Sequence, residues 1–299
     1  MNLFKKAFCT PRKIFFQKKE KDIPKKNKKG KSEYFDANGI EYIIKNSKNK
    51  GRTNNIFDKA LGRNYSLDKK GIKRRNDSCS EMIPKLDVGL PFTMICKIFY
   101  RNRGEIERES TGFFISPKVV ITVAHELYHG NQYFEDAIIV PCIEIINGEF
   151  KYPLGGVVAD KFIISEGYTN GRGEGNDYGA IFFDEEYFID SINSYFNLYS
   201  MNQEGNRLSV YIAGYPDTSL LGDVSISHLK YAEATAMIDD SGLKHNFNPE
   251  GGQSGMPIWI EEGQKYYVIG INDSDCDLPQ IKLTNEVISE LNNWIEISY

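Results

Sequence analysis

The chain has 299 residues and a mass of 34.1 kDa, with 40% hydrophobic, 26% charged and 13% aromatic residues; this composition supports a packed core and excludes collagen-like, mucin-like and wholly disordered chains. No run approaches the roughly eighteen apolar residues that a membrane-spanning helix requires. The net charge of −4 conceals a division along the chain: residues 1–85 hold 24 Lys and Arg against 9 Asp and Glu, and residues 86–299 hold 13 against 32.

Residues 1–33 read as a basic tail. Lys5, Lys6, Arg12 and Lys13 interrupt every short apolar run, which leaves no continuous core for a secretory signal. Residues 18–31 are too rich in lysine to bury a core and are expected to be disordered. Two readings stand for this tail. It attracts nucleic acid or an anionic membrane surface, with Phe4, Phe8, Ile14, Phe15 and Phe16 as interfacial wedges, or it is a solvated, solubilising arm. Residues 34–85 remain basic and weakly periodic, as in ANGIEYIIKN and NNIFDKALG, and read as a linker with one or two short elements. Five widely spaced cysteines without a CxxC pair argue against a disulfide scaffold and against a zinc knuckle, and with the missing signal they fit the cytoplasm.

From about Leu86 the character changes. PFTMICKIFY, the polar turn RNRGEIERES, TGFFIS and VVITVA read as a strand, a hairpin connection and two further strands. DAIIVPCIEI, YGAIFF, LSVYIAGY, MPIWI and YYVIGI continue the series, so residues 86–299 are expected to form an all-β barrel or sandwich domain rather than alternating βα units. Near the end, Val287, Ile288, Leu291, Trp294 and Ile295 fall at helical spacing and predict an amphipathic C-terminal helix docked on the β core.

Three segments carry chemistry. His125 ends the run VVITVA and is expected at the rigid end of a strand; Asp177 precedes the apolar run YGAIFF; Ser254 sits among Gly251, Gly252 and Gly255. A serine hydroxyl is a weak nucleophile until an imidazole accepts its proton, and the imidazole needs a buried carboxylate to fix its tautomer. The sequence offers one residue for each role. Glycines around Ser254 allow the amides of Gly252 and Ser254 to converge on a developing oxyanion.

The order His, Asp, Ser, together with TGFFIS, VITVAH, NDYGAIFF, AGYPD and GGQSGMP, resembles the trypsin-like (chymotrypsin-fold) serine endopeptidases, nearest the glutamyl endopeptidase branch with its GYPG and GGNSG phrases. Separations of 52 residues from His125 to Asp177 and 77 from Asp177 to Ser254 suit that family, and the resemblance covers about residues 88–299. It implies two six-stranded antiparallel β-barrels with a C-terminal helix and an active site between the barrels. It implies a polypeptide substrate, needs no cofactor or metal, and places the first specificity pocket between Asn248, Pro249 and Glu250 on one side and Ile271, Asn272, Asp273 and Ser274 on the other. Glu250, Asp273 and Asp275 would make that pocket acidic and suited to basic side chains.

The chain departs from the family at several points. Gln253 stands where the digestive enzymes have Asp, so their N-terminal activation switch has no partner here. Asn272 stands where the glutamyl branch commonly has His, and Pro249 and Glu250 where it often has threonines, which argues against carrying over its glutamate preference. Two rival readings remain. His125-Glu126-Leu127-Tyr128-His129 matches the zinc motif H-E-x-x-H, which requires a helix, whereas β-branched residues precede it and Gly130 follows. The other is a non-catalytic binding module on the same fold. His228 and His245 lack any matching partner and read as structural or exposed.

Overall fold

The computed structural model describes residues 32–47, 83–84, 89–146, 149–171, 175–201, 207–217, 229–239, 242–273 and 279–299. The expectations for residues 1–31, for 48–82 and 85–88 including NNIFDKALG, and for His228, Ser274 and Asp275 lie outside this set.

Two antiparallel sheets dominate. The first has the strand order Glu33–Phe35, Gly156–Ala159, Asp136–Pro141, Ile95–Asn102, Glu105–Ser116, Val119–Thr122, Gly179–Phe182, Lys161–Ile164. Gly156–Ala159, next to the edge strand Glu33–Phe35 at one end of the curl, and Lys161–Ile164 at the other end are separated only by Asp160, so a bend at that residue draws the two ends of the curled sheet together. Register shifts between Tyr100 and Arg101 and between Phe114 and Ser116 add the local twist that such curling requires. The second sheet runs Asn197–Leu198, Lys265–Ile271, Pro257–Glu262, Arg207–Gly214, Lys230–Asp239, Gly242–His245, antiparallel except for the short parallel pairing of Asn197–Leu198 with Lys265–Ile271. Leu243 then bridges to Gln280, and Ile281–Lys282 pairs back with Lys265–Ile271, which completes a ring of six strand segments. The all-β architecture with a C-terminal helix is therefore present, and each barrel has its own apolar interior: Phe113, Ile121, Ile139 and Ile181 in the first, Val210, Ala234, Ile238 and Ile258 in the second.

Two local expectations are corrected and a third point is added. The polar stretch after Asn102 is mostly strand: only Arg103 and Gly104 turn, and Glu105–Ser116 continues the ladder. Its charges do not signal a turn because each of several has a partner across the sheet. Asn102 donates to Glu107, and Lys97 lies 2.8 Å from Glu109. His125 does not end a strand. Val119–Thr122 stops three residues earlier and His125 lies in the single helical turn Ala124–Leu127, where its N–H leaves the sheet to bond Asp177. The third is an addition: Lys230–Asp239 is a strand that sequence propensity does not mark, because its inward positions Ala232, Ala234 and Ala236 carry little β propensity despite their strict alternation with exposed residues.

Glu33–Phe35 pairs with Gly156–Ala159, and the helix Ala37–Ser47 buries Ile40 and Ile44 against the first barrel, so this part of the basic region packs on the β core. The C-terminal helix Asn285–Ile297 starts at Thr284, whose side chain accepts the Val287 N–H, and buries Val287, Leu291 and Trp294. Trp294 packs on Tyr178, whose hydroxyl donates to Glu290 at 2.6 Å. The helix thereby braces the residue next to Asp177.

Candidate active site

Asp177 binds His125 twice. Its Oδ1 accepts the backbone N–H at 2.8 Å and its Oδ2 lies 2.6 Å from ring Nδ1. The first bond fixes the main chain of the helical turn and the second fixes the ring. In the neutral ring, with Nδ1–H directed at the carboxylate, Nε2 is left as the nitrogen able to take a proton. Burial alone would lower the imidazole pKa, but the charge and hydrogen bond of Asp177, joined by Glu126, outweigh it and raise the value to about 10.

Ser254 lies in a loop held by backbone bonds. The Thr111 N–H donates to the Ser254 carbonyl at 3.0 Å, and the Thr111 carbonyl accepts the Thr122 hydroxyl at 2.9 Å, which ties the serine loop to the strand three residues upstream of His125. Thr111 Oγ1 also donates to the Gly252 carbonyl at 3.0 Å and accepts the Tyr215 N–H at 2.9 Å. Gly252 has φ +84, and a β-carbon there would collide with the backbone of Asp217; Gly255 has φ +86, and a β-carbon there would strike Thr111 and Thr122. Both positions accept only glycine without strain. Gln253 N–H is bonded to Glu250 and Gly255 N–H to Asn272, whereas among the described residues the N–H groups of Gly252 and Ser254 have no acceptor. Neither does Ser254 Oγ bond His125 among them; His125 Nε2 instead lies 3.3 Å from Glu126 Oε1.

The AGYPD segment supports this loop from behind. Asp217 N–H donates to the Gly251 carbonyl at 2.6 Å, and Lys97, wholly buried in the first barrel, donates to the Pro216 carbonyl at 2.6 Å. Nothing in the sequence marks Lys97, Arg108, Glu109 and Thr111 as site neighbours, and Glu126 stands out only through the H-E-x-x-H motif. Alternation along TGFFIS was the only available signal, and it does not reveal what a strand faces across a barrel junction.

Among the expected pocket residues, Asn272 turns inward. It is fully buried, and its Oδ1 meets His245 Nε2 at 3.1 Å. His245 is stacked on Phe247, and burial lowers its pKa to about 4, so it stays neutral. Glu250 is paired with Lys230 at 2.6 Å, and Asp273 Oδ1 lies 3.8 Å from His125 Nδ1.

The residues of the H-E-x-x-H motif do not share a helix: His129 belongs to the two-residue strand Tyr128–His129. Arg108 lies 2.9 Å from Glu126 and 3.3 Å from His129 Nδ1, so a guanidinium cation occupies the place between them and opposes a metal ion there. His125, Asp177 and Asp273 bring ligand-type atoms within 4.8 Å of one another, but His125 spends Nδ1 on Asp177, a hydrogen-bonded pair rather than an open coordination set.

The chain matches no protein-family model and no curated sequence. Among solved structures, a Glu endopeptidase is 17% identical, with 73% of this chain and 97% of that chain covered at a TM-score of 0.58. The protease Anisep from Arthrobacter nicotinovorans is 22% identical over 62% of this chain and 85% of its own, at a TM-score of 0.47. A scabies mite inactivated protease paralogue is 16% identical over 68% and 94%, at 0.48. The likeness to the Glu endopeptidase establishes the chymotrypsin-type fold expected from the motifs.

Proposed function

We propose that this protein is a serine endopeptidase that hydrolyses polypeptides through an acyl-enzyme. A shared fold does not determine activity; the reading is carried by the paired hydrogen bonding of Asp177 to His125, which leaves Nε2 as the base position. In this mechanism Ser254 Oγ attacks the peptide carbonyl while His125 Nε2 takes its proton. His125 then returns the proton to the leaving amine, and water repeats the sequence to release the acyl group. Asp177 keeps the tautomer and stabilises the imidazolium. The uncommitted N–H groups of Gly252 and Ser254 stabilise the oxyanion, a contribution of about 3 kcal/mol for each such donor. No cofactor or metal takes part.

The segments 248–250 and 271–273 flank the substrate side chain at the cut. They are held beside the nucleophile by the Gln253–Glu250 and Gly255–Asn272 backbone bonds. Glu250, Asp273 and Asp275 are the acids we assign to favouring a basic substrate residue. The basic tail serves as a tether to an anionic surface or nucleic acid, and a cytoplasmic location belongs to the same proposal.

A peptide-library cleavage profile of the wild type beside Ser254→Ala tests this reading. Cleavage with a defined preference in the wild type, absent from the variant, supports it. Equal cleavage by both, or none by a folded wild type at any pH, overturns it.

A further inference from the structure

The mechanism leaves one buried carboxylate beside His125 without a role. Glu126 is 6% exposed, and its Oε1 stands 3.3 Å from His125 Nε2, the nitrogen that must receive the Ser254 proton. The same oxygen accepts Arg108 Nη2 at 3.1 Å, while Oε2 lies 2.9 Å from Arg108 Nε. Arg108 is anchored on the strand Glu105–Ser116 and also reaches His129 Nδ1 at 3.3 Å.

A neutral imidazole carries one N–H and can donate at one nitrogen only. With Asp177 hydrogen-bonded at Nδ1 and Glu126 within ion-pair distance of Nε2, the doubly protonated, cationic ring is the form that both carboxylates favour. An Nε2 that already bears a proton cannot take one from serine. We propose that Glu126 is a resting-state latch on His125: it engages Nε2 and keeps the ring from acting as a base until the contact breaks, while Arg108 sets its strength by sharing the same carboxylate. The inference rests on the endopeptidase reading, and Glu126 is a positioning residue that acts through His125.

Among the described residues, Asp177, Glu126, Asp273, Arg108 and His129 are charged or titratable groups facing this ring and its turn, with Tyr100 beside Glu126 and Tyr168 beside Asp177, Arg108, Asp273 and Glu126. Three acids stand against one guanidinium, in accord with the raised imidazole pKa. The latch opens when the Nε2 proton passes to solvent. The Nε2 lone pair then faces a carboxylate oxygen, the two repel, and Nε2 becomes available to Ser254.

Nitrogen NMR of the imidazoles across pH tests the latch without requiring turnover, with His125→Ala used to assign the signal among the 4 histidines. In the wild type both His125 nitrogens should be protonated at neutral pH. Glu126→Gln keeps the side-chain shape and should move the His125 midpoint down by about one pH unit or more; Arg108→Gln, which removes a nearby positive charge, should move it up. The acidic limb of the peptide-cleavage profile should follow. Activity of Glu126→Gln at neutral pH, relative to its own alkaline plateau, should rise about tenfold for every pH unit by which the midpoint falls. An unprotonated Nε2 in the wild type at neutral pH, or an unchanged midpoint in folded Glu126→Gln, overturns the latch. If Glu126→Gln does not fold, the wild-type spectrum and the direction in which Arg108→Gln moves the midpoint decide. A latch seen by NMR in a protein that cleaves nothing at any pH would sink the endopeptidase reading alone.

Discussion

The two halves of the candidate site are built from different materials. On the first-barrel side, His125 and Asp177 are held by charge and side-chain hydrogen bonds, at 2.6 Å between ring and carboxylate. On the second-barrel side, the loop from Gly251 to Gly255 is held by backbone bonds and by two glycines whose positive φ and close neighbours exclude a side chain. The first half is therefore sensitive to protonation, and the second to volume.

Substitutions separate the halves by kind of damage. The largest effect belongs to the proposed nucleophile: Ser254→Ala should cut peptide turnover on the order of a millionfold without lowering the melting temperature, as read by steady-state kinetics beside thermal denaturation. Asp177→Asn should cost on the order of ten-thousandfold in kcat by stabilising the wrong imidazole tautomer, with partial recovery at high pH. Gly252→Ala tests the other half. The clash with Asp217 should displace an oxyanion donor and lower kcat roughly 10²–10³-fold, with a pH profile of unchanged shape. The smallest effect is expected from Tyr178→Phe, which removes the bond to Glu290 and should cost about 1 kcal/mol of stability in denaturant titration while activity stays near wild type.

Proton linkage sharpens the contrast. The folded-state pKa of His125 is raised from 6.5 to about 10, so its contribution to stability is complete below about pH 6.5 and is lost as pH rises through 10. The base that catalysis needs is the neutral ring. Activity should therefore increase over the same interval in which this stabilisation declines, and parallel pH titrations of kcat/KM and of unfolding free energy would reveal opposite slopes. The Gly252 half contributes to neither slope.

What the sequence made legible follows the same division. Strands rich in β-branched and aromatic residues, such as VVIT and YYVIGI, stood out because periodicity and propensity agree there. The alanine-rich strand Lys230–Asp239 and the charged half of Glu105–Ser116 did not, because burial of small residues and cross-sheet pairing of charges are tertiary facts. Chemistry and neighbouring glycines suffice to nominate His125, Asp177 and Ser254 as a candidate site. Thr111, which binds Ser254 and Gly252, and Lys97, which binds Pro216, could not, since both act across more than a hundred residues of chain.

The most direct measurement is labelling by a fluorophosphonate, with the adduct located by mass spectrometry in the wild type, Ser254→Ala and His125→Ala at mildly alkaline pH. A single adduct on Ser254, lost in both variants, is the result predicted. A folded wild type that takes up no label, or carries it on another residue, would contradict the assignment of this site.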